Sequence, residues 1–313
     1  AHYWIDKGVD GFRYDMAEMV PVEFWSFLNS SIKQKAPNAF LLAEVYQPDK
    51  YREYIHQGKM DYLYDKVGFY DTLKTIMQGS GEVSKLVTIH DEINDIAPHM
   101  LHFLENHDEQ RIASPDFAGS AQKGKPALAV SALISSSPTL LYFGQDVGED
   151  GSEETGFGDP TRTSIFDYVG VPAHQRFMND GKFDAGKSTE DEKALHNFYK
   201  DVMAIAATNP AVTGEYQSLH ALNLDVKDSA YTEQQFAFVR AQGEHGFVVV
   251  ANFNDKPTGA MKLVVPSNVL GKDSDRITLA PMLSHEGITL EKEGINYNAS
   301  FSLEGLETKV FAF

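Results

Sequence analysis

Along the first two hundred positions, short apolar runs alternate with stretches of helical period. Phe40-Leu41-Leu42-Ala43 is continuously apolar, as expected of a strand covered on both faces. Residues 100–104 and 139–143 carry similar runs, and the chain from Val9 and again at residues 60–64 reads as further strands. Residues 1–7 read as the last turns of a helix, with Gly8 as its C-cap because glycine takes the left-handed conformation cheaply. A second helix opens at Pro21 and places Phe24, Phe27, Leu28 and Ile32 on one face at spacings of three and four. Trp4 and Trp25 fall in these helical contexts and read as core. Pro126 at a first helical position opens a helix through Ile134, and Pro138 stops the chain. Thr189, with Glu192 three residues on, predicts a capping box at the head of a helix whose apolar stripe is Leu195, Phe198, Val202 and Ile205.

After about Gly214 the rhythm changes. Phe236-Ala237-Phe238-Val239, Phe247-Val248-Val249-Val250, Leu263-Val264-Val265 and Val310-Phe311-Ala312-Phe313 are short, β-branched or aromatic, and glycines punctuate them. The pattern predicts a β/α domain over residues 1–213 and an all-β sandwich over residues 214–313. Alternating strand and helix implies a parallel sheet. The acidic residue ending the first strand is Asp15 and the next is Glu44, 29 positions later. That is close to the roughly 31 residues of one unit of a (β/α)8 barrel, whose strand C-termini carry the active site.

Composition narrows the partners. The chain of 313 residues has a net charge of −18, which would repel a phosphate backbone and an anionic membrane surface. It contains no cysteine, so disulfides, thiolate chemistry and Cys-ligated zinc are excluded. No apolar run is long enough to span a bilayer. The expected partner is therefore neither nucleic acid nor membrane.

The candidate chemistry is carboxylate chemistry. Asp15, Glu44 and Asp108 stand at three strand ends and would converge on one mouth. Paired carboxylates perform glycoside hydrolysis, one protonated to assist the leaving oxygen and one ionised. Arg13 lies two residues before Asp15, hence on the same face of the strand, where its charge would hold that carboxylate ionised.

Gly11-Phe12-Arg13-Tyr14-Asp15 resembles the nucleophile strand of the α-amylase family, glycoside hydrolase family thirteen. Leu42-Ala43-Glu44-Val45-Tyr46 is similar to its general-acid strand, and Phe103-Leu104-Glu105-Asn106-His107-Asp108 to its third motif. Leu141-Tyr142-Phe143-Gly144-Gln145-Asp146 resembles the eighth strand and its turn. The resemblance implies a retaining enzyme on α-1,4-glucans such as starch and maltooligosaccharides. Asp15 would be the nucleophile, Glu44 the acid/base and Asp108 the carboxylate that binds the distorted sugar. Arg13 would orient Asp15, and His107 would bond the sugar. Tyr46 would either stack on a sugar ring or pack at the barrel rim. Transglycosylation or cyclodextrin degradation is the alternative within the family, and a non-catalytic glucan-binding remnant the alternative outside it.

The sequence departs from the family in two places. Glu18 and Met19 occupy positions where many members carry Lys-His, which bears on the leaving-group side of the site. The family's first motif, its first three strands and the excursion that binds calcium lie upstream of the nucleophile strand. The strand at Val9 would then be the fourth of eight and the fold a partial TIM (β/α)8 barrel, strands 4 to 8, in an incomplete fragment. No cofactor is expected within it; calcium would be held by upstream residues.

Other patterns carry bland readings. The segment from Gly119 to Lys125 approximates a phosphate loop but lacks the hydroxyl residue after the lysine, and reads as a loop into the next helix. His285-Glu286 lacks the second ligand of a zinc-protease motif. Gly156-Phe157-Gly158 is an isolated glycine pair. Asn29-Ser30-Ser31 and Asn298-Ala299-Ser300 match glycosylation sequons by a three-residue pattern alone.

Overall fold

The computed structural model describes residues 1–151, 162–163, 170–271 and 274–313; the Gly156-Phe157-Gly158 pair lies outside them. The chain divides into two compact units. The first comprises Ala1–Asp71, Ile89–Phe103 and Ser137–Leu140, and the second Thr72–Thr88, Leu104–Ser136 and Leu141–Phe313.

In the first unit five short strands form one parallel sheet in sequence order: β1 (Gly11–Tyr14), β2 (Phe40–Ala43), β3 (Tyr62–Tyr64), β4 (Met100–Phe103) and β5 (Thr139–Leu140). The fifth is only two residues long, shorter than the apolar run through Phe143 implies. β1 and β2 pair from Gly11 with Phe40 to Tyr14 with Ala43. Their approach at the start requires glycine, since a Cβ on Gly11 would come within 2.1 Å of the Phe40 carbonyl oxygen. The chain enters β1 from the helix His2–Asp6, and Gly8 at φ +95° makes the turn as expected of its cap.

Two apolar clusters lie within this unit. The larger joins Ala17, Trp25, Val45, Tyr54, Leu63 and Met100, and the smaller joins Ile32, Ala39 and Leu41. The helix Val22–Lys35 buries Val22, Trp25, Asn29 and Ile32. This corrects the expected stripe: Phe24 is half exposed and Phe27 is 74% exposed. Spacing alone could not choose between two apolar faces of one helix, and the structure buries the face carrying Trp25 and a polar residue. Asn29 is accommodated because its amide donates to the Gly58 carbonyl at 2.8 Å and its oxygen accepts the Tyr14 hydroxyl at 2.8 Å. Trp4 is likewise exposed, against expectation, because the helix carrying it buries no residue.

In the second unit eight strands form an antiparallel sheet. They are β6 (Glu215–Ser218), β7 (Gln235–Gln242), β8 (His245–Asn252), β9 (Met261–Pro266), β10 (Arg276–Pro281), β11 (Ile288–Glu293), β12 (Asn296–Phe301) and β13 (Thr308–Ala312). Their order is β6-β7-β8-β13-β10-β11-β12-β9. One continuous core runs through it, including Val239, Val248, Val250, Leu263, Leu279, Leu290, Tyr297 and Phe311. The helix Glu190–Thr208 opens with the expected capping box between Thr189 and Glu192. It buries Tyr199 where Phe198 was expected, one position around the same face. Pro126 stands in the third position of its helix, Gly124–Leu133, which starts earlier than expected. Arg240 of β7 is buried and donates to the carbonyls of Ile134 and Val212. Burial pulls its pKa down to about 10.

Buried His220 connects to Tyr231 at 2.9 Å and to Glu233 at 3.2 Å. Glu233 in turn accepts the Ser84 amide and hydroxyl at the start of the helix Val83–Glu92.

Candidate active site

Tyr14 and Ala43 are paired at the C-terminal ends of β1 and β2. The next residues, Asp15 and Glu44, therefore emerge side by side at the same end of the sheet. Arg13, on β1, reaches both. Its Nη1 donates to Asp15 Oδ1 at 2.7 Å, and its Nη2 lies 3.3 Å from Glu44 Oε1. The guanidinium also sits over the Tyr64 ring of β3. Burial works against the Arg13 charge, but hydrogen bonds to Asp15 and Tyr64 outweigh it and raise its pKa. The site thus has a permanent cation between two carboxylates. Arg13 thus bonds Asp15, the residue it was expected to orient, and lies against Glu44 as well.

The two carboxylates differ in environment. The Asp15 side chain is 71% exposed and that of Glu44 only 7%. An exposed carboxylate on a cation can approach a reacting carbon; an enclosed one is restricted to a fixed direction. The Glu44 oxygens are each engaged: Oε1 accepts the Tyr46 hydroxyl at 2.6 Å and Oε2 the Met16 amide at 2.8 Å. Met16 reaches that position through a left-handed backbone, φ +43°, which is costly for a non-glycine residue. The strained turn is held on both sides. Glu44 N donates to the Tyr14 carbonyl at 3.0 Å, Ala17 N donates to the Glu44 carbonyl at 2.9 Å, and Trp25 Nε1 donates to the Ala17 carbonyl at 2.9 Å.

Tyr46 does something that neither sequence reading assigned to it, since its hydroxyl bonds Glu44. Glu18, seen in the sequence only as a departure from Lys-His, accepts the amides of Tyr46 at 2.9 Å and Gln47 at 3.1 Å through Oε2. Met19 is exposed. Aromatic residues at strand ends were the available signal for Tyr64. No spacing rule points to Glu18 or to the Met16 amide, because their partners lie on a loop 28 and 29 residues away.

His107 and Asp108 belong to the second unit. His107 Nε2 lies 3.1 Å from Asp108 Oδ2. Asn106 Oδ1 accepts the amides of Asp108 at 2.8 Å and Glu109 at 2.9 Å, which shapes the turn presenting both. Next to it lies a fully enclosed ion pair, Arg111 Nη1 to Glu105 Oε2 at 3.0 Å. Burial raises the Glu105 pKa against the pull of Arg111. Arg111 also donates to Thr163 Oγ1 at 2.7 Å and to the Phe143 carbonyl at 2.7 Å. The structure thus brings Arg13, Asp15, Glu44 and Tyr46 together in one unit and, within the other, His107 with Asp108. Among the described residues no group of three or more His, Asp or Glu is arranged to hold a metal ion, and no helix is long and apolar enough to cross a membrane.

The family description "Alpha amylase, catalytic domain" matches residues 1–214. Alpha-amylase 3 of Dictyoglomus thermophilum is 25% identical over 232 residues, 66% of this chain and 44% of its own. A cyclomaltodextrinase of a Bacillus species is 25% identical over 269 residues, 82% of this chain and 41% of its own. The chain thus spans less than half the length of these relatives. Among solved structures, AmyP in complex with maltose superposes with a TM-score of 0.72 at 18% identity, over all of this chain and 66% of that one. By the match to its catalytic domain, the chain belongs to the alpha-amylase family.

Proposed function

We propose that this chain carries the nucleophile and the acid/base of a glycosidase that cleaves α-1,4-glucans with retention of configuration. The observation that carries the proposal is the Arg13 guanidinium holding exposed Asp15 and enclosed Glu44 at adjacent strand ends. In the first step an Asp15 oxygen attacks the anomeric carbon, the bond to the leaving oxygen breaks, and Glu44 gives that oxygen its proton. In the second step Glu44 takes a proton from water, the water oxygen bonds the anomeric carbon, and the bond to Asp15 breaks. A retaining pair works with its carboxyl groups about 5–5.5 Å apart. His107 and Asp108 are proposed to bind the hydroxyls of the sugar at the point of cleavage. The parallel sheet of the first unit is read as strands 4 to 8 of a (β/α)8 barrel, residues 1–213 as its C-terminal portion, and residues 214–313 as a β-sandwich domain. α-Glucan is the proposed substrate, consistent with a maltose complex and a cyclomaltodextrinase among the related proteins. The latter also favours a second reading, in which a sugar hydroxyl resolves the intermediate or a cyclodextrin is opened.

In an enzyme with the complete barrel, Asp15→Asn should lower kcat on maltoheptaose by about ten-thousandfold or more while binding is retained. Glu44→Gln should spare substrates whose leaving groups need no proton. An Asp15→Asn enzyme within tenfold of the parent would refute the assignment. The maltoheptaose product profile separates hydrolysis from transfer.

A further inference from the structure

The turn after the nucleophile and the loop after the acid are tied to each other by side chains, and the tie ends on the reacting carboxyl. Glu18 Oε2 accepts two consecutive amides, those of Tyr46 and Gln47. Tyr46 then turns its hydroxyl onto Glu44 Oε1 at 2.6 Å. Glu18 can act as a fixed anchor because its own backbone is held. Its carbonyl and that of Val20 accept the Tyr54 hydroxyl, at 3.2 and 2.9 Å, and the Ala17 carbonyl accepts the Trp25 indole.

We propose that Glu18 and Tyr46 are positioning residues for Glu44. Glu18 fixes the backbone at Tyr46, and the Tyr46 hydroxyl fixes the plane of the Glu44 carboxyl. This deepens the proposed function and rests on Glu44 being the acid/base. The terminal torsion of a glutamate is broad, so the chain leading to the carboxyl does not set its plane. A displacement of about 1 Å at a reacting group can cost about a hundredfold in rate. The Met16 amide holds Oε2 from one side, and Tyr46 holds Oε1 from the other. A hydroxyl suits this second position because it both donates and accepts, and so remains bonded whether Glu44 is ionised or protonated. A backbone N–H can only donate. The Glu18 side chain thus has a task on the acid side of the site, where a lysine could not accept the two amides.

The test is a double-mutant cycle in the active enzyme, read on two substrates. Tyr46→Phe should lower kcat/KM on maltoheptaose by about ten- to a hundredfold, the loss of one hydrogen bond to a charged group. On α-maltosyl fluoride, whose leaving group needs no proton, the loss should stay below about threefold. Glu18→Ala should lose in the same substrate-selective way. Glu18→Gln keeps an acceptor for both amides and should restore activity. Because Glu18 acts through Tyr46, Glu18→Ala combined with Tyr46→Phe should be no worse than Tyr46→Phe alone, within about twofold. Equal losses on both substrates, or additive losses in the double variant, would overturn the proposal. A readout without turnover stands beside these. Amide exchange at Tyr46 and Gln47 should quicken by about tenfold in Glu18→Ala and not in Glu18→Gln. A Glu44→Gln enzyme that loses equally on both substrates would refute the catalytic reading of Glu44, and unchanged exchange would refute the tether itself.

Discussion

The parallel and the antiparallel sheets solve the same problem differently. The antiparallel sheet has strands up to eight residues long and one continuous core. The parallel sheet has strands of only two to four residues. Among the described residues its edge strands β1 and β5 pair on one side only. Within that unit Trp4, Phe24, Phe27 and Phe40 remain exposed. What the parallel sheet provides instead is alignment. Neighbouring strands of like direction end together, and residues 29 apart in sequence meet on one guanidinium. Burial is concentrated where the chain must be stable and thinned where it must present side chains.

That contrast can be broken by measurement. Phe311→Ala removes a large side chain from the continuous antiparallel core and should cost about 3–5 kcal/mol in urea unfolding. Asn29→Ala removes the three hydrogen bonds of a buried amide in the parallel unit, with Tyr14, Gly58 and Met60, at about 1–3 kcal/mol. If it cost more than Phe311→Ala, the parallel unit would be the better-held part and the comparison would fail. Acid should weaken the second unit first at His220. Burial lowers its folded pKa, so its contribution is fully present above the usual histidine range and is lost as pH falls through and below about 6.5. For Glu233 burial alone would raise the pKa, but hydrogen bonds from Ser84 and His220 lower it, so its contribution fades at still lower pH. His220→Gln should flatten the urea midpoint between pH 7.5 and 5. The smallest effect belongs to Phe27→Ser, expected within about 0.5 kcal/mol because the ring is already in solvent.

Much of this was legible in the sequence. Strands such as β7 and β8, with apolar runs through their middles, announced themselves. β10 and β11 did not, since each buries only alternate residues such as Ile277, Leu279 and Leu290 among Thr, Glu and Lys. The capping box at Thr189 was readable because both of its partners are local. The face of the helix Val22–Lys35 was not, because Phe24 and Phe27 satisfy the helical period as well as Trp25 does. The juxtaposition of Asp15, Glu44 and Arg13 was legible from their place at strand ends. The task of Glu18 depends on two amides brought to it from the end of the next strand, and a one-dimensional pattern holds no trace of that.

The burial of Asn29 bears on how the protein can be made. Asn29-Ser30-Ser31 is a sequon, yet in the folded chain its amide lies inside and both ends of it are bonded. In a eukaryotic secretory host, oligosaccharide is transferred to the chain while it is still unfolded. A glycan on Asn29 would then sit on the nitrogen that donates to Gly58, at a side chain that is fully buried in the folded chain. Occupancy of that sequon would therefore oppose docking of this helix, and a host that does not glycosylate removes that obstacle.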